Sequence, residues 1–64
     1  MMQYRVYLLD KRAHIRDHQL ITCVDDHEAV ALASRLLGEY PHVEVWHGDR
    51  MVRTLRADAQ GADH

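Results

Sequence analysis

Sixty-four residues with ten acidic and eight basic side chains carry a formal charge of −2, which argues against a strong binder of phosphate backbones. A single cysteine, Cys23, excludes an intrachain disulfide, and so short a chain buries only ~60% of its unfolded surface, so oligomerisation is the expected source of added stability. No apolar run approaches the ~18 residues that span a bilayer, and Met1-Met2-Gln3-Tyr4-Arg5 lacks a signal-peptide pattern, so a cytoplasmic protein with no membrane partner is expected.

Gln3 to Asp10 alternates as a strand, with Tyr4, Val6 and Leu8 on one face and Arg5, Tyr7 and Leu9 on the other. The short polar segment from Asp10 to His14 suits a hairpin loop. Ile15 to Cys23 is the second strand. Its Ile15, Ile21 and Cys23 share a parity that Leu20 breaks, which leaves room for a bulge near Asp17 to Gln19. Its polar middle, Arg16-Asp17-His18-Gln19, suits a sheet edge.

The helix is the best-marked element. Asp25 followed by Glu28 is a capping-box pattern, Val24 stands where a hydrophobic staple would, and Gly38 is placed for a left-handed C-cap. Ala29, Leu32, Ala33 and Leu36 form its apolar stripe, widened by Val30 and Leu37. Pro41 ends the helix region; His42 to His47 and Arg50 to Leu55 then flank Gly48-Asp49, a turn in which glycine allows the positive φ of a type II′ hairpin.

The pattern predicts a single α+β domain over residues 1–56, ββαββ, with a four-stranded antiparallel sheet covered on one face by one helix. A right-handed crossover from strand two through the helix to strand three leaves room for strand one between them, which predicts strand order 2-1-3-4, with 2-1-4-3 the alternative. Residues 57–64 are small and polar and are expected to form a disordered tail.

One helix of about twelve residues is ~18 Å long and cannot cover both faces of such a sheet. With Tyr4, Val6, Leu8, Ile15, Ile21, Val43 and Val45 toward the helix, the open face carries Arg5, Tyr7, Leu9, Glu44 and Trp46, joined by Val52 or by Met51 and Leu55 according to register. An apolar patch bordered by charge marks an interface. Arg5, Tyr7, Leu9, Glu44, Trp46 and Arg50 are therefore the candidate interface or ligand residues, with a homodimer the expected assembly and another protein a further possible partner.

Other chemistry finds little support. His14 and His18 are ~13 Å apart along a strand and cannot share a metal without a bulge, and no Cys-x-x-Cys or His-Glu-x-x-His spacing occurs; no metal or cofactor is expected. Cys23, at the end of an apolar strand beside Asp25 and Asp26, reads as a core residue and not as a nucleophile, and no catalytic residue is assigned. Arg5, Arg16, Arg50, Arg53 and Arg56 with Tyr7 and Trp46 nearby are reminiscent of single-strand platforms. Asp17, Glu44 and Asp49 are mixed among them, so nucleic acid or a small ligand is the alternative reading. Protonating all six histidines would carry the charge from −2 to +4, so binding could respond to mildly acidic pH.

The run Tyr4-Arg5-Val6-Tyr7-Leu8-Leu9-Asp10, His14-Ile15, Asp25-Asp26-x-x-Ala29 and Glu44-Val45-Trp46-x-Gly48-x-Arg50 resembles a group of small bacterial proteins, mostly alphaproteobacterial, of unknown function. The likeness covers residues 3–56 and implies a free-standing cytoplasmic domain, with no site residues to carry over.

Overall fold

The structure is a computed structural model and describes residues 1–57. Its elements are β1 (Met2–Leu9), β2 (Ile15–Cys23), α1 (Asp26–Ser34) running into a 3-10 turn (Arg35–Gly38), β3 (His42–His47) and β4 (Arg50–Arg56). The sheet order is β2-β1-β3-β4, every neighbouring pair antiparallel, with α1 between β2 and β3 in the chain. This is the expected ββαββ fold, and it selects 2-1-3-4 over the alternative order. The tail expected at 57–64 lies outside the described residues except for Ala57, whose N–H donates to the Pro41 carbonyl at 3.0 Å.

The core lies between α1 and one face of the sheet. Tyr4, Val6 and Leu8 of β1 pack with Cys23, Val43, Val45, Leu55, Ala29 and Ala33. Two alanines on the helix let it sit close to the strands, and larger side chains at Val30, Leu36 and Leu37 close the margins. Leu32, expected within this stripe, is 37% exposed, because α1 rests on Ala29 and Ala33 and turns Leu32 toward the rim.

The helix starts as its sequence predicts. The Asp25 carboxylate accepts the Glu28 N–H at 2.9 Å, while the Glu28 carboxylate accepts the Val24 N–H at 3.0 Å, one residue earlier than a standard capping box. Val24 itself is 60% exposed and forms no staple. The C-terminal end also differs from expectation. Gly38 is not left-handed; the chain tightens into the 3-10 turn, and the N–H groups of Glu39 and Tyr40 both reach the Leu36 carbonyl at 3.0 Å. Gly48 does take the positive φ its turn requires, at 64°.

Two register shifts decide which residues reach the open face. Leu8 pairs with Asp17 but Leu9 pairs with Ile15, so Arg16 is the extra residue of a bulge. The bulge lies just before the predicted stretch and corrects one assignment: Ile15 stands opposite Leu9 on the open face, not toward the helix. In β4, Trp46 pairs with Met51 and Val45 with Arg53, leaving Val52 as the extra residue. Met51 thereby joins the open face, whereas Leu55, opposite Val43, and Val52 pack into the core.

The β1–β2 loop is organised by Asp10. Its carboxylate accepts the N–H groups of Arg12 at 2.9 Å and His14 at 3.0 Å, and these bonds, that of His14 foremost, hold the carboxyl below its usual range. Ala13 occupies the left-handed region there, at φ 64°.

Candidate interaction surface

The antiparallel pairing lays the open face out in rows. One row runs Leu20, Arg5, Trp46, Met51; the next His18, Tyr7, Glu44, Thr54; a third Ile15, Leu9, His42, Arg56. Five of the six candidate residues, Arg5, Tyr7, Leu9, Glu44 and Trp46, thus lie together on one surface. Four of them form two bonded pairs: Arg5 Nη1 donates to the Tyr7 hydroxyl at 3.4 Å, and the Trp46 indole N–H donates to Glu44 Oε1 at 3.2 Å; the Tyr7 ring also stands 6.2 Å from that of His18 on β2. Leu9 is only 4% exposed yet stands apart from the helix-side core, so its neighbours on this face shield it.

Arg50, the sixth, goes elsewhere. Its guanidinium reaches across to the first turn of α1, where Nη2 donates to Asp26 Oδ2 at 3.3 Å and Oδ1 at 3.4 Å. The same carboxylate accepts the Tyr4 hydroxyl at 2.6 Å, and the Tyr4 ring lies 5.0 Å from that of His47. Burial first, and then the bond to Asp26, push the Tyr4 hydroxyl up to about 12. The Tyr4 bond, helped by Arg50, holds Asp26 below the usual carboxylate range against its own desolvation. Sequence reasoning missed this cluster because its members are 22 and 24 residues apart and form no local motif.

The cluster is built to hold protons and charges in place. Tyr4 resists ionisation, and burial followed by the Glu28 charge pushes the Cys23 thiol up as well, the opposite of what nucleophilic activation demands. Among the described residues no buried side-chain polar atom lacks a partner, and no group of three or more His, Cys, Asp or Glu could hold a metal.

The exposed apolar side chains have an uneven distribution that the sequence did not disclose. Ile15 is 57% and Leu20 54% exposed, both on the open face of β2; Val24 just beyond β2 and Leu32 above it are exposed too, while β4 contributes Met51 alone and Met1 stands exposed ahead of β1. On the helix side a groove of about 260 Å³ runs between α1 and β2, lined by Val6, Ile21, Leu32 and Leu36 with Gln19 and Arg35. Trp46 and Tyr7, nearer the middle of the sheet, are half-buried. Among the described residues no helix is long and apolar enough to cross a membrane. Compared with models of protein families, with curated proteins and with solved structures, the chain matches none.

Proposed function

We propose that this chain is a small non-enzymatic interaction module of the cytoplasm that works through its uncovered sheet, with a second copy of itself as its first partner. The observation that carries the reading is the exposure of Ile15, Leu20 and Met51, beside the half-buried Tyr7 and Trp46, on a sheet face that no element of the described residues covers. Leaving such residues in water forgoes roughly 25 cal/mol for each Å² of apolar area that a partner would bury. Small domains without disulfide or metal commonly recover that stabilisation by association. A buried free thiol at Cys23 accords with a reducing compartment.

Sedimentation equilibrium on the full chain from about 10 to 500 μM tests the reading. The expected result is a mass that rises with concentration from monomer toward dimer; a monomer throughout would remove it.

The row of Arg5 beside Trp46, with Tyr7 hydrogen-bonded to Arg5, supports the second reading, a nucleic-acid or small-ligand binder. Glu44, accepting the Trp46 N–H in the middle of that surface, opposes it, since a carboxylate there repels phosphate. Titrating single-stranded RNA at low salt while following Trp46 fluorescence separates the two: quenching that fades steeply with salt belongs to the second reading alone.

A further inference from the structure

The sheet has two edges, and they differ in what they offer another copy of the chain. β4 runs Arg50–Arg56 with its central residue at Arg53. Pairing it with itself about that centre would set Arg53 against Arg53 and Arg50 against Arg56, so every arginine would meet an arginine. Like charges opposed across strands are destabilising, and an edge so charged is protected from self-pairing.

β2 is different. Beyond the bulge at Arg16 its regular stretch runs from Asp17 to Cys23, and the residue at the centre of that stretch is Leu20. Antiparallel pairing about Leu20 sets Leu20 against Leu20 of the second copy, Gln19 against Ile21, His18 against Thr22 and Asp17 against Cys23. No like-charged pair arises. On the open face the two Leu20 side chains meet, each 54% exposed in the single chain. On the helix side, Ile21 of the second copy comes beside Gln19 at the mouth of the apolar groove, whose wall carries Leu32 and Leu36.

The main chain is poised for the same register. The Asp17 carboxylate accepts the His18 N–H at 2.8 Å, a group directed away from β1. Since main-chain groups alternate sides along a strand, the N–H and C=O of Leu20 and Thr22 also face outward. Leu20 would then exchange both main-chain bonds with its mate, while His18 gives up the Asp17 carboxylate for Thr22.

We propose that two copies join β2 to β2 in antiparallel register about a twofold axis at Leu20, forming one continuous eight-stranded sheet with both helices on the same side. This rests on the self-association reading and adds its geometry. Seven paired residues span only ~23 Å, a contact smaller than the ~800 Å² per partner of standard interfaces, so the dimer is weak and concentration-dependent.

Cysteine cross-linking in the full chain tests it. A hydrogen-bonded antiparallel pair has Cα atoms ~5.5 Å apart, within disulfide reach. Leu20→Cys, oxidised with glutathione disulfide at about 100 μM protein, should form covalent dimer at least tenfold faster than His18→Cys, whose mates lie ~13 Å apart along the strands, or Thr54→Cys on β4. The unmodified chain reports any contribution from buried Cys23, and circular dichroism with reductant present checks that each variant folds. If the wild-type chain is dimeric but Leu20→Cys links no faster than Thr54→Cys, the edge assignment is overturned while self-association stands. A wild-type chain that stays monomeric overturns both. Masses growing past the dimer would mean β2 meeting β4 head to tail, which also overturns the twofold arrangement.

Discussion

Leu8→Ala should leave most of the chain unfolded at 25 °C. Leu8 is 1% exposed on the central strand β1, packed in the helix-side cluster and paired with Val43. Truncating a buried leucine costs about 2–5 kcal/mol, the spread reflecting how far the surroundings collapse into the void. Stability of roughly 0.05–0.15 kcal/mol per residue leaves a chain this short only several kcal/mol in all. The loss is therefore comparable to the whole. Leu32→Ala is the matching control, since Leu32 is 37% exposed and leaves little cavity. Urea melts followed by far-ultraviolet circular dichroism check the pair. A Leu8→Ala midpoint close to that of Leu32→Ala would show that the core is not where these contacts put it.

The second large effect is alkaline unfolding through Tyr4. Its hydroxyl is pushed up to about 12 by burial and by donation to Asp26, whereas an unfolded tyrosine ionises near 10. The neutral hydroxyl is thus favoured by the fold. Its contribution is fully present below pH 10 and is lost as the pH rises from 10 through 12, because over that range only the unfolded chain releases the proton. The sign is opposite for Asp26, whose lowered pKa makes its contribution present at neutral pH and lost on acidification. Wild-type stability should therefore fall between pH 9 and 11.5 more steeply than that of Tyr4→Phe. The phenylalanine variant begins less stable, lacking the bond to Asp26, and its curve should be flatter. Parallel curves would mean that Tyr4 ionises as easily folded as unfolded.

The fold was legible because its signals were local. Asp25 with Glu28 marked the helix start, Gly48 marked the second hairpin, and the parity of Tyr4, Val6, Leu8, Val43 and Val45 marked the buried face. Strand order required the crossover geometry as well, and of its two solutions the structure takes 2-1-3-4.

What escaped the sequence depends on pairs of strands. A bulge at Arg16 reverses the face of Ile15, and parity counted along one strand cannot register a residue that its neighbour strand skips. The same holds for Val52, which alone decides that Met51 faces outward and Leu55 inward. Gly38 failed as a left-handed cap because the 3-10 turn already satisfied the last carbonyls. Arg50 read as part of the open face because it adjoins Trp46 in the hairpin, yet its partner Asp26 is 24 residues back. The candidate surface was legible in its centre and not at its margin, where the bulge sends Ile15 to join Leu20 on β2.

Hydrogen–deuterium exchange at two protein concentrations addresses the central claim, that the uncovered sheet binds a second copy along β2. Amides of Leu20 and Thr22 face outward in the single chain, so at about 5 μM they should exchange quickly. At about 500 μM they should slow several-fold while those of Arg53 and its neighbours on β4 keep their rates. Exchange in β2 that is unchanged across this range, or protection that grows on β4 instead, would contradict the account.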